Sequence, residues 1–154
     1  MLKNYKKILI IKWGALGDII AGLPAINCVR DMLPDSNLTI LTNGIFVELA
    51  PKTIFYDKTI NIENYNYLKL LKLLRKEKFD LAINLRWTSE QCAWLTYLSG
   101  AKDRAGSGPS KSMFLYNIRT THPKGRYHEI LRNLDIIKAA GFSVDKIKYN
   151  VYIL

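Results

Sequence analysis

Apolar and polar residues follow two different spacings along the chain. Short apolar runs rich in β-branched residues predict strands buried on both faces, at residues 7–12, 37–41, 58–62 and 81–85. Longer segments with apolar residues three or four positions apart predict helices, at residues 18–32, 45–49, 65–76, 89–98 and 128–140. Strands and helices that alternate in this way predict an α/β fold, a Rossmann-like parallel sheet with helices on both faces.

The last third of the chain is less regular. Residues 101–112 are rich in Gly, Ser and Lys and predict a loop with a short strand at 104–106, while 113–118 fits more than one state. The tail at 149–154 alternates like a strand and ends on two apolar residues with no polar cap. We therefore expect one domain at 1–148, followed at 149–154 by the start of an interdomain linker or a final strand of a longer protein.

Size and composition are those of one globular domain. The chain has 154 residues, of which 49% are hydrophobic, enough to bury a core. No apolar run reaches the length of a membrane span, and Lys12 interrupts the first strand, so we expect neither a membrane helix nor a secretory signal. Cys28 and Cys92 are far apart and predict buried thiols. We expect a cytoplasmic protein.

The formal net charge of +10 favours an anionic partner. Nucleic acid, a phosphate-rich glycolipid and an acidic membrane all satisfy this condition. The predicted helix at 65–76 carries a basic face made of Lys69, Lys72, Arg75 and Lys76. This face is either simply solvated or a surface for peripheral contact with an acidic membrane leaflet.

The segment from Lys12 to Asp18 is the strongest candidate for chemistry. It follows a predicted buried strand and opens a helix, and ligands of open α/β sheets bind beyond such strand ends. Gly14 and Gly17 permit a tight turn and a close approach of a ligand, while the helix N-terminus favours an anion. The segment lacks both the dinucleotide-binding glycine fingerprint and the P-loop pattern.

Asp18 has two compatible interpretations. It is either a carboxylate that caps the first turn of the helix or a general base at the mouth of the cleft. Two cations near strand ends, Lys12 and Arg86, are each either solvated or able to bind an acidic group of a substrate. For Arg86, the alternative is an ion pair with Glu90, four residues later.

Several motifs follow one another in a definite order along the chain. The first is Ile-Ile-Lys-Trp-Gly-Ala-Leu-Gly-Asp-Ile-Ile-Ala-Gly-Leu-Pro-Ala at 10–25. The order continues with Leu-Pro-Asp at 33–35, Phe-Asp-Leu-Ala-Ile-Asn-Leu at 79–85 and Leu-Ser-Gly-Ala-Lys-Asp-Arg-Ala-Gly at 98–106. The set is completed by Phe-Leu-Tyr-Asn at 114–117 and His-x-x-x-Arg-Asn at 128–133. In this order the motifs resemble those of the bacterial heptosyltransferases.

This resemblance implies that the chain is the N-terminal half of a GT-B fold, the acceptor-side domain of an inverting, metal-independent glycosyltransferase. Asp18 is then the general base. Lys12, Trp13, Gly14, Gly17, Arg86 and Lys111 are the residues that we expect to bind the acceptor. The family's donor is a nucleotide sugar, ADP-heptose in the best-known members, and it is bound by a C-terminal domain. We expect that domain to be absent here, no cofactor and no metal to be bound, and the chain alone to be inactive.

The acceptor is less well defined than the reaction. Residues 59–67 contain no Arg or Lys where members that act on lipopolysaccharide carry a basic cluster, and a family Arg falls on Gly108. A lipopolysaccharide-type acceptor and another anionic glycan or glycolipid both remain open. Trp13 fits either packing or sugar stacking. His122 and His128 lack the neighbours of a metal site.

A different class of function fits the charge alone. A stand-alone basic Rossmann-like module could bind nucleic acid or another anionic partner without catalysis. However, the sequence carries no nucleic-acid recognition motif, and its aromatic residues are not interleaved with its basic stretches. Nucleic acid is therefore not the expected partner, and a salt-titrated binding assay separates the two classes.

Overall fold

A computed structural model describes residues 1–49, 56–108, 110–123, 125 and 127–145 of the chain. Within these residues, six strands form one parallel sheet in the order β3-β2-β1-β4-β5-β6. The strands are β1 (Lys7–Ile11), β2 (Asn37–Thr42), β3 (Lys58–Asn61), β4 (Leu81–Asn84), β5 (Asp103–Gly106) and β6 (Ile118–Arg119). The predicted α/β class and the parallel sheet are confirmed.

The first strand lies in the middle of the sheet, between β2 and β4. Ile8 and Ile10 contribute to the core on one face, and Leu9 and Ile11 contribute to the core on the other. All four side chains are fully buried, as the continuous apolar run predicts for a strand covered on both faces. A central parallel position for residues 7–12 is therefore confirmed.

Five α-helices accompany the strands in the part of the chain that is described. They are α1 (Leu16–Met32), α2 (Gly44–Leu49), α3 (Tyr67–Glu77), α4 (Glu90–Leu98) and α5 (Glu129–Ala139). Helices α1 and α5 pack together over one face of the sheet, and α3 and α4 cover the other. The side chain of Ser89 accepts a hydrogen bond from the backbone N–H of Cys92, which confirms Ser89 as the N-cap of α4.

Several boundaries differ from the sequence-based expectation. Helix α1 begins at Leu16, so Pro24 lies in its third turn rather than in the first two. A 3₁₀ helix, Ser110–Leu115, spans the end of the predicted loop and the start of the ambiguous segment at 113–118, and the short strand β6 follows it. A second 3₁₀ helix, Ile62–Asn64, precedes α3, whose N-cap is Asn66. The tail at 149–154 lies outside the described residues.

Two further expectations concern the thiols and the membrane. Cys92 is fully buried, whereas Cys28 is only partly buried, so the expectation of two buried thiols is half correct. Burial raises the pKa of the Cys92 thiol to about 12. No helix in the described ranges combines the length and the apolar character that a bilayer crossing requires.

Candidate functional site

Asp18 is the carboxylate that caps the first turn of α1. The N-cap position belongs to Ala15, whose side chain has no polar atom. The Asp18 side chain, three residues later, reaches back and accepts a hydrogen bond from the Ala15 N–H at 3.2 Å. Asp18 is therefore held at the N-terminus of a helix that starts just beyond the C-terminal end of β1.

A second strand end supplies the partner of this carboxylate. Arg86 follows β4, the neighbour of β1, and its Nη1 donates to Asp18 Oδ2 at 3.0 Å. About a third of each side chain is exposed. Of the two alternatives for Arg86, the ion pair with Glu90 is not formed, because Glu90 pairs with Lys111. Parallel strands thus bring together two groups that are 68 positions apart.

Gly14 makes room for this ion pair. Its φ angle is +142°, and a Cβ at this position would lie 2.5 Å from Asp18 Oδ2 and 3.0 Å from Arg86 Nη1. The carbonyl of Gly14 accepts a hydrogen bond from Asn43 at 3.0 Å, which fixes the loop. Gly17 differs, because it lies within α1 and a Cβ there would have no neighbour within 4 Å.

We expect Gly14→Ala to lower the free energy of unfolding by about 1–3 kcal/mol, because Ala is strained at positive φ and its methyl group displaces the carboxylate. Gly17→Ala is the matched control. It should leave stability unchanged or raise it by up to about 1 kcal/mol, because Ala favours a helix. Urea denaturation of both variants measures the difference. Equal effects of the two substitutions would contradict this distinction between the glycines.

Lys12 is buried rather than solvated. Its side chain is fully inaccessible, and Nζ donates to the carbonyl of Leu85 and to Glu129 Oε1, both at 3.1 Å. Asn133 Oδ1 lies 3.5 Å from Nζ. Burial lowers the pKa of Lys12, and the carboxylate of Glu129 opposes that shift. Both sequence-based alternatives, a solvated lysine and a lysine that faces the acceptor, disagree with this environment.

The remaining sequence-predicted site residues are more dispersed. Trp13 is partly buried and packs against the core beneath α3 and α4, which supports packing as its role. Lys111 is exposed and forms an ion pair with Glu90. The structure therefore brings together Asp18, Arg86 and Gly14, whereas Lys111 pairs elsewhere and Lys12 lies in the interior.

The polar face of α5 also belongs to this region, which the sequence pattern does not predict. Glu129, Arg132 and Asn133 are spaced i, i+3, i+4 and share one face of the helix. Glu129 accepts from Lys12 and from the indole N–H of Trp87, and Asn133 donates to the carbonyl of Ala21. The sequence signal for this polar face is a row of polar residues beside the apolar face of an amphipathic helix.

Histidines and acidic residues do not converge on a metal site in the residues described. No group of three or more His, Cys, Asp or Glu side chains has a suitable arrangement there. His128 instead caps α5, its Nδ1 accepting from the N–H of Ile130 at 3.2 Å. This hydrogen bond satisfies one of the free backbone N–H groups at the N-terminus of α5.

Known proteins resemble this chain over most of its length. No family model matches the sequence. A Haemophilus influenzae protein that is provisionally named a glycosyltransferase is 27% identical over 139 residues, which are 86% of this chain and 40% of that protein. A family 9 glycosyltransferase from Veillonella parvula has a TM-score of 0.77 at 19% identity and covers 93% of this chain.

Two Escherichia coli enzymes share the same architecture. Heptosyltransferase WaaC with ADP has a TM-score of 0.73 at 18% identity over 93% of this chain. ADP-heptose lipopolysaccharide heptosyltransferase II has a TM-score of 0.69 at 19% identity over 84% of this chain. The fold is that of the heptosyltransferases. The predicted resemblance is confirmed, and with it the Rossmann-like half of a GT-B fold.

The chain corresponds to only part of these relatives. It covers 43% of the Veillonella structure, 50% of WaaC and 39% of heptosyltransferase II. It likewise spans 40% of the curated Haemophilus relative. The part that this chain shares with the heptosyltransferase structures is therefore one Rossmann-like unit.

Proposed function

We propose that this chain is the acceptor-side part of an inverting, metal-independent glycosyltransferase. The enzyme moves heptose or a related sugar from a nucleotide sugar to a lipopolysaccharide-type or other anionic glycan acceptor. The observation that carries the proposal is the position of Asp18. It is an anchored, partly exposed carboxylate at the end of the central strand, in a domain with the heptosyltransferase fold.

The geometry of Asp18 suits a general base. The N–H of Ala15 and Nη1 of Arg86 both donate to Oδ2, and within the described residues these two contacts leave Oδ1 for a substrate. A sugar hydroxyl becomes a competent nucleophile when a positioned base removes its proton. We assign that step to Asp18, with the acceptor held against the loop of Trp13 and Gly14 and against Gly17 in the first turn of α1.

The charge pattern changes the roles of the expected acceptor-binding cations. Arg86 is already paired with Asp18 and Lys111 with Glu90, so neither is an unmatched cation for an acidic acceptor. We assign Arg86 a positioning role, in which its guanidinium orients the base. Lys12 holds α5 against the strand ends from inside the domain.

We propose that the donor, ADP-heptose or a related nucleotide sugar, is bound by a second domain outside these 154 residues. The partial coverage of the heptosyltransferase structures supports this division. We also propose a cytoplasmic enzyme with peripheral contact to acidic membrane, supported by the exposed Lys69, Lys72 and Lys76 of α3. Sedimentation with anionic vesicles, repeated at high salt, tests that contact.

A transfer assay tests the reaction itself. An enzyme that carries both domains is mixed with an ADP-sugar and an acidic glycolipid acceptor, with and without a metal chelator. The proposal expects a product whose anomeric configuration is opposite to that of the donor, and chelator-insensitive turnover. Release of free sugar without an acceptor product, or retention of configuration, would reject it.

We expect the chain alone to show no sugar transfer and negligible binding of ADP-heptose, because the proposed donor site lies in another domain. Isothermal titration calorimetry of the 154-residue chain measures this directly, with the two-domain enzyme as the positive control. Micromolar binding of ADP-heptose to the chain alone would place the donor site within these residues and overturn the proposal that a second domain binds the donor.

A further inference from the structure

A cavity of about 720 Å³ lies at the amino ends of β1, β4 and β5, on the edge of the sheet opposite to Asp18. Lys6 precedes β1, Asp80 precedes β4 and Lys102 precedes β5, and all three residues line the cavity. The five residues of β1 separate the two edges by about 16 Å, since a strand rises about 3.3 Å per residue. A ligand in this cavity is therefore distinct from an acceptor at Asp18.

The residues that line this cavity carry more positive than negative charge. Two of them are carboxylates, Asp80 and Asp103. The five cations are Lys3, Lys6, Arg75, Lys78 and Lys102. Helices α3 and α4 also end at the cavity, and each helix C-terminus contributes about half a negative charge. About two positive charges remain, so the cavity suits a ligand with two or more negative charges.

Both carboxylates already have partners from within the fold. Asp103 Oδ2 accepts from the ammonium group of Lys3 at 2.7 Å and from the hydroxyl of Tyr5 at 2.8 Å. Asp80 Oδ2 accepts from two consecutive backbone N–H groups at the amino end of β1, at 2.7 and 2.8 Å. Neither carboxylate forms an ion pair with the other four cations of the cavity.

Four exposed cations therefore lack a carboxylate partner within the described ranges. They are Lys6, Arg75, Lys78 and Lys102. The residues outside those ranges include no Asp or Glu. The Nε of Arg75 donates to the carbonyl of Leu98 at 3.0 Å, which fixes the guanidinium group beside the cavity. The four side chains together offer charged hydrogen-bond donors to an anion.

Lys78 has an unusual backbone conformation at this place. It ends α3 with a φ of +56°, and among the residues that the structure describes it is the only one other than glycine with a positive φ. Glycine is the usual residue at such a helix end, because it has no Cβ and is not strained there. A lysine that keeps a strained conformation beside a basic cavity is a candidate for a binding role.

We propose that this cavity binds a compound with two closely spaced phosphate groups, held by Lys6, Arg75, Lys78 and Lys102. A diphosphate carries two or more negative charges at neutral pH, together with several acceptor oxygens, and so matches the charge and the donors of the cavity. The volume lies in the range of small-molecule sites. The diphosphate belongs either to a soluble compound or to the headgroup of a lipid. The proposal goes beyond sugar transfer and does not depend on it.

Isothermal titration calorimetry of the chain with three anions tests the site. Pyrophosphate, inorganic phosphate and sulfate are added separately in metal-free buffer at constant ionic strength. We expect saturable binding of one pyrophosphate, at least about tenfold tighter than that of phosphate or sulfate, because the second phosphate group engages further cations. Equal affinities for the three anions would reject the site.

Three substitutions separate the cavity from general charge effects. Lys102→Gln and Lys78→Gly should each weaken pyrophosphate binding by about tenfold, because each removes a charged hydrogen-bond donor. Lys138→Gln is the matched control. It removes the same charge from an exposed position of α5, on the other face of the sheet, and should leave binding unchanged. Equal losses from Lys138→Gln and Lys102→Gln would contradict the proposal.

Lys78→Gly also separates a loss of binding from a loss of fold. Glycine is not strained at a φ of +56°, so the melting temperature of this variant should be unchanged or higher. A more stable protein that binds pyrophosphate less tightly supports the site. If Lys78→Gly and Lys102→Gln both keep full affinity, these lysines serve only the helix ends and the proposal is wrong.

Sedimentation with vesicles distinguishes the two sources of the diphosphate. Phosphatidylcholine vesicles with and without geranylgeranyl diphosphate are mixed with the chain and with Lys102→Gln. Sedimentation that requires both the diphosphate and Lys102, and that pyrophosphate reverses, indicates a lipid headgroup. Pyrophosphate binding in calorimetry without such sedimentation indicates a soluble ligand. Absence of both rejects the site, whatever the transfer assay shows.

Discussion

Asp18→Asn, in an enzyme that carries both domains, is expected to lower kcat by about 10²–10⁴-fold while leaving KM close to its original value. The reason is that Asn cannot accept the proton of the attacking hydroxyl. Because that proton moves in the transition state, its loss appears in the rate of the chemical step rather than in ground-state binding. Steady-state kinetics over a range of acceptor concentrations measures both constants.

The same substitution should leave the fold nearly intact. The amide oxygen of Asn can still accept from the Ala15 N–H and from Arg86, so the first turn of α1 keeps its cap. The ion pair that is lost is partly exposed, and such pairs contribute about 0–1 kcal/mol. A thermal melt of the same sample separates a catalytic loss from an unfolded protein.

Asp35→Asn is a suitable control, because Asp35 is an exposed acidic residue in the connection between α1 and β2. It should change neither kcat nor the melt. If Asp18→Asn keeps a near-normal kcat with an unchanged melt, Asp18 is only the cap of α1. The proposed base would then have to be sought elsewhere in the cleft.

The backbone architecture follows from local patterns in the sequence. The continuous apolar run at 7–12 requires cover on both faces, and only the centre of a parallel sheet with helices on each side provides it. Ser89 and Gly100 bracket α4 because one caps orphan N–H groups and the other adopts a positive φ, both properties of single residues. The sequence pattern does not predict the short strand β6, because two residues carry no periodicity.

The side-chain partners depend on tertiary packing and are therefore harder to predict from the sequence. Glu90 lies four residues beyond Arg86 in sequence, a spacing that makes an ion pair between them one of two alternatives for Arg86. The sheet instead places Asp18 beside Arg86, and Glu90 pairs with Lys111. A sequence pattern locates strand ends at one edge of a sheet, but it does not specify which charges there neutralise one another.

Lys12 is the clearest case of a residue whose environment cannot be predicted from the sequence pattern. A lysine at a strand end is usually solvated, but here α5 covers it and supplies Glu129 and Asn133 from more than 100 positions away. Gly22 of α1 makes space for its stem, since a Cβ there would lie 3.1 Å from Lys12 Cγ. The lysine joins β1, α1 and α5 from within the domain.

Lys12→Met is therefore expected to lower the free energy of unfolding by about 2–4 kcal/mol, as measured by urea denaturation. Met fills the space of the lysine stem, so the loss reflects polar contacts rather than a cavity. The carbonyl of Leu85 and the Glu129 carboxylate lose their donor. Because Glu129 is 29% exposed, water replaces part of that contact, which keeps the effect below that of a fully buried pair.

Two companion variants test this reasoning. Lys58→Met removes a lysine whose ion pair with Glu77 lies at the surface, and it should cost only about 0–1 kcal/mol. Adding Glu129→Gln to Lys12→Met should recover about 1–2 kcal/mol, because Gln removes the unpaired charge and still accepts from Trp87. If Lys12→Met instead keeps full stability and only raises KM for the acceptor, Lys12 faces the substrate and the buried arrangement is wrong.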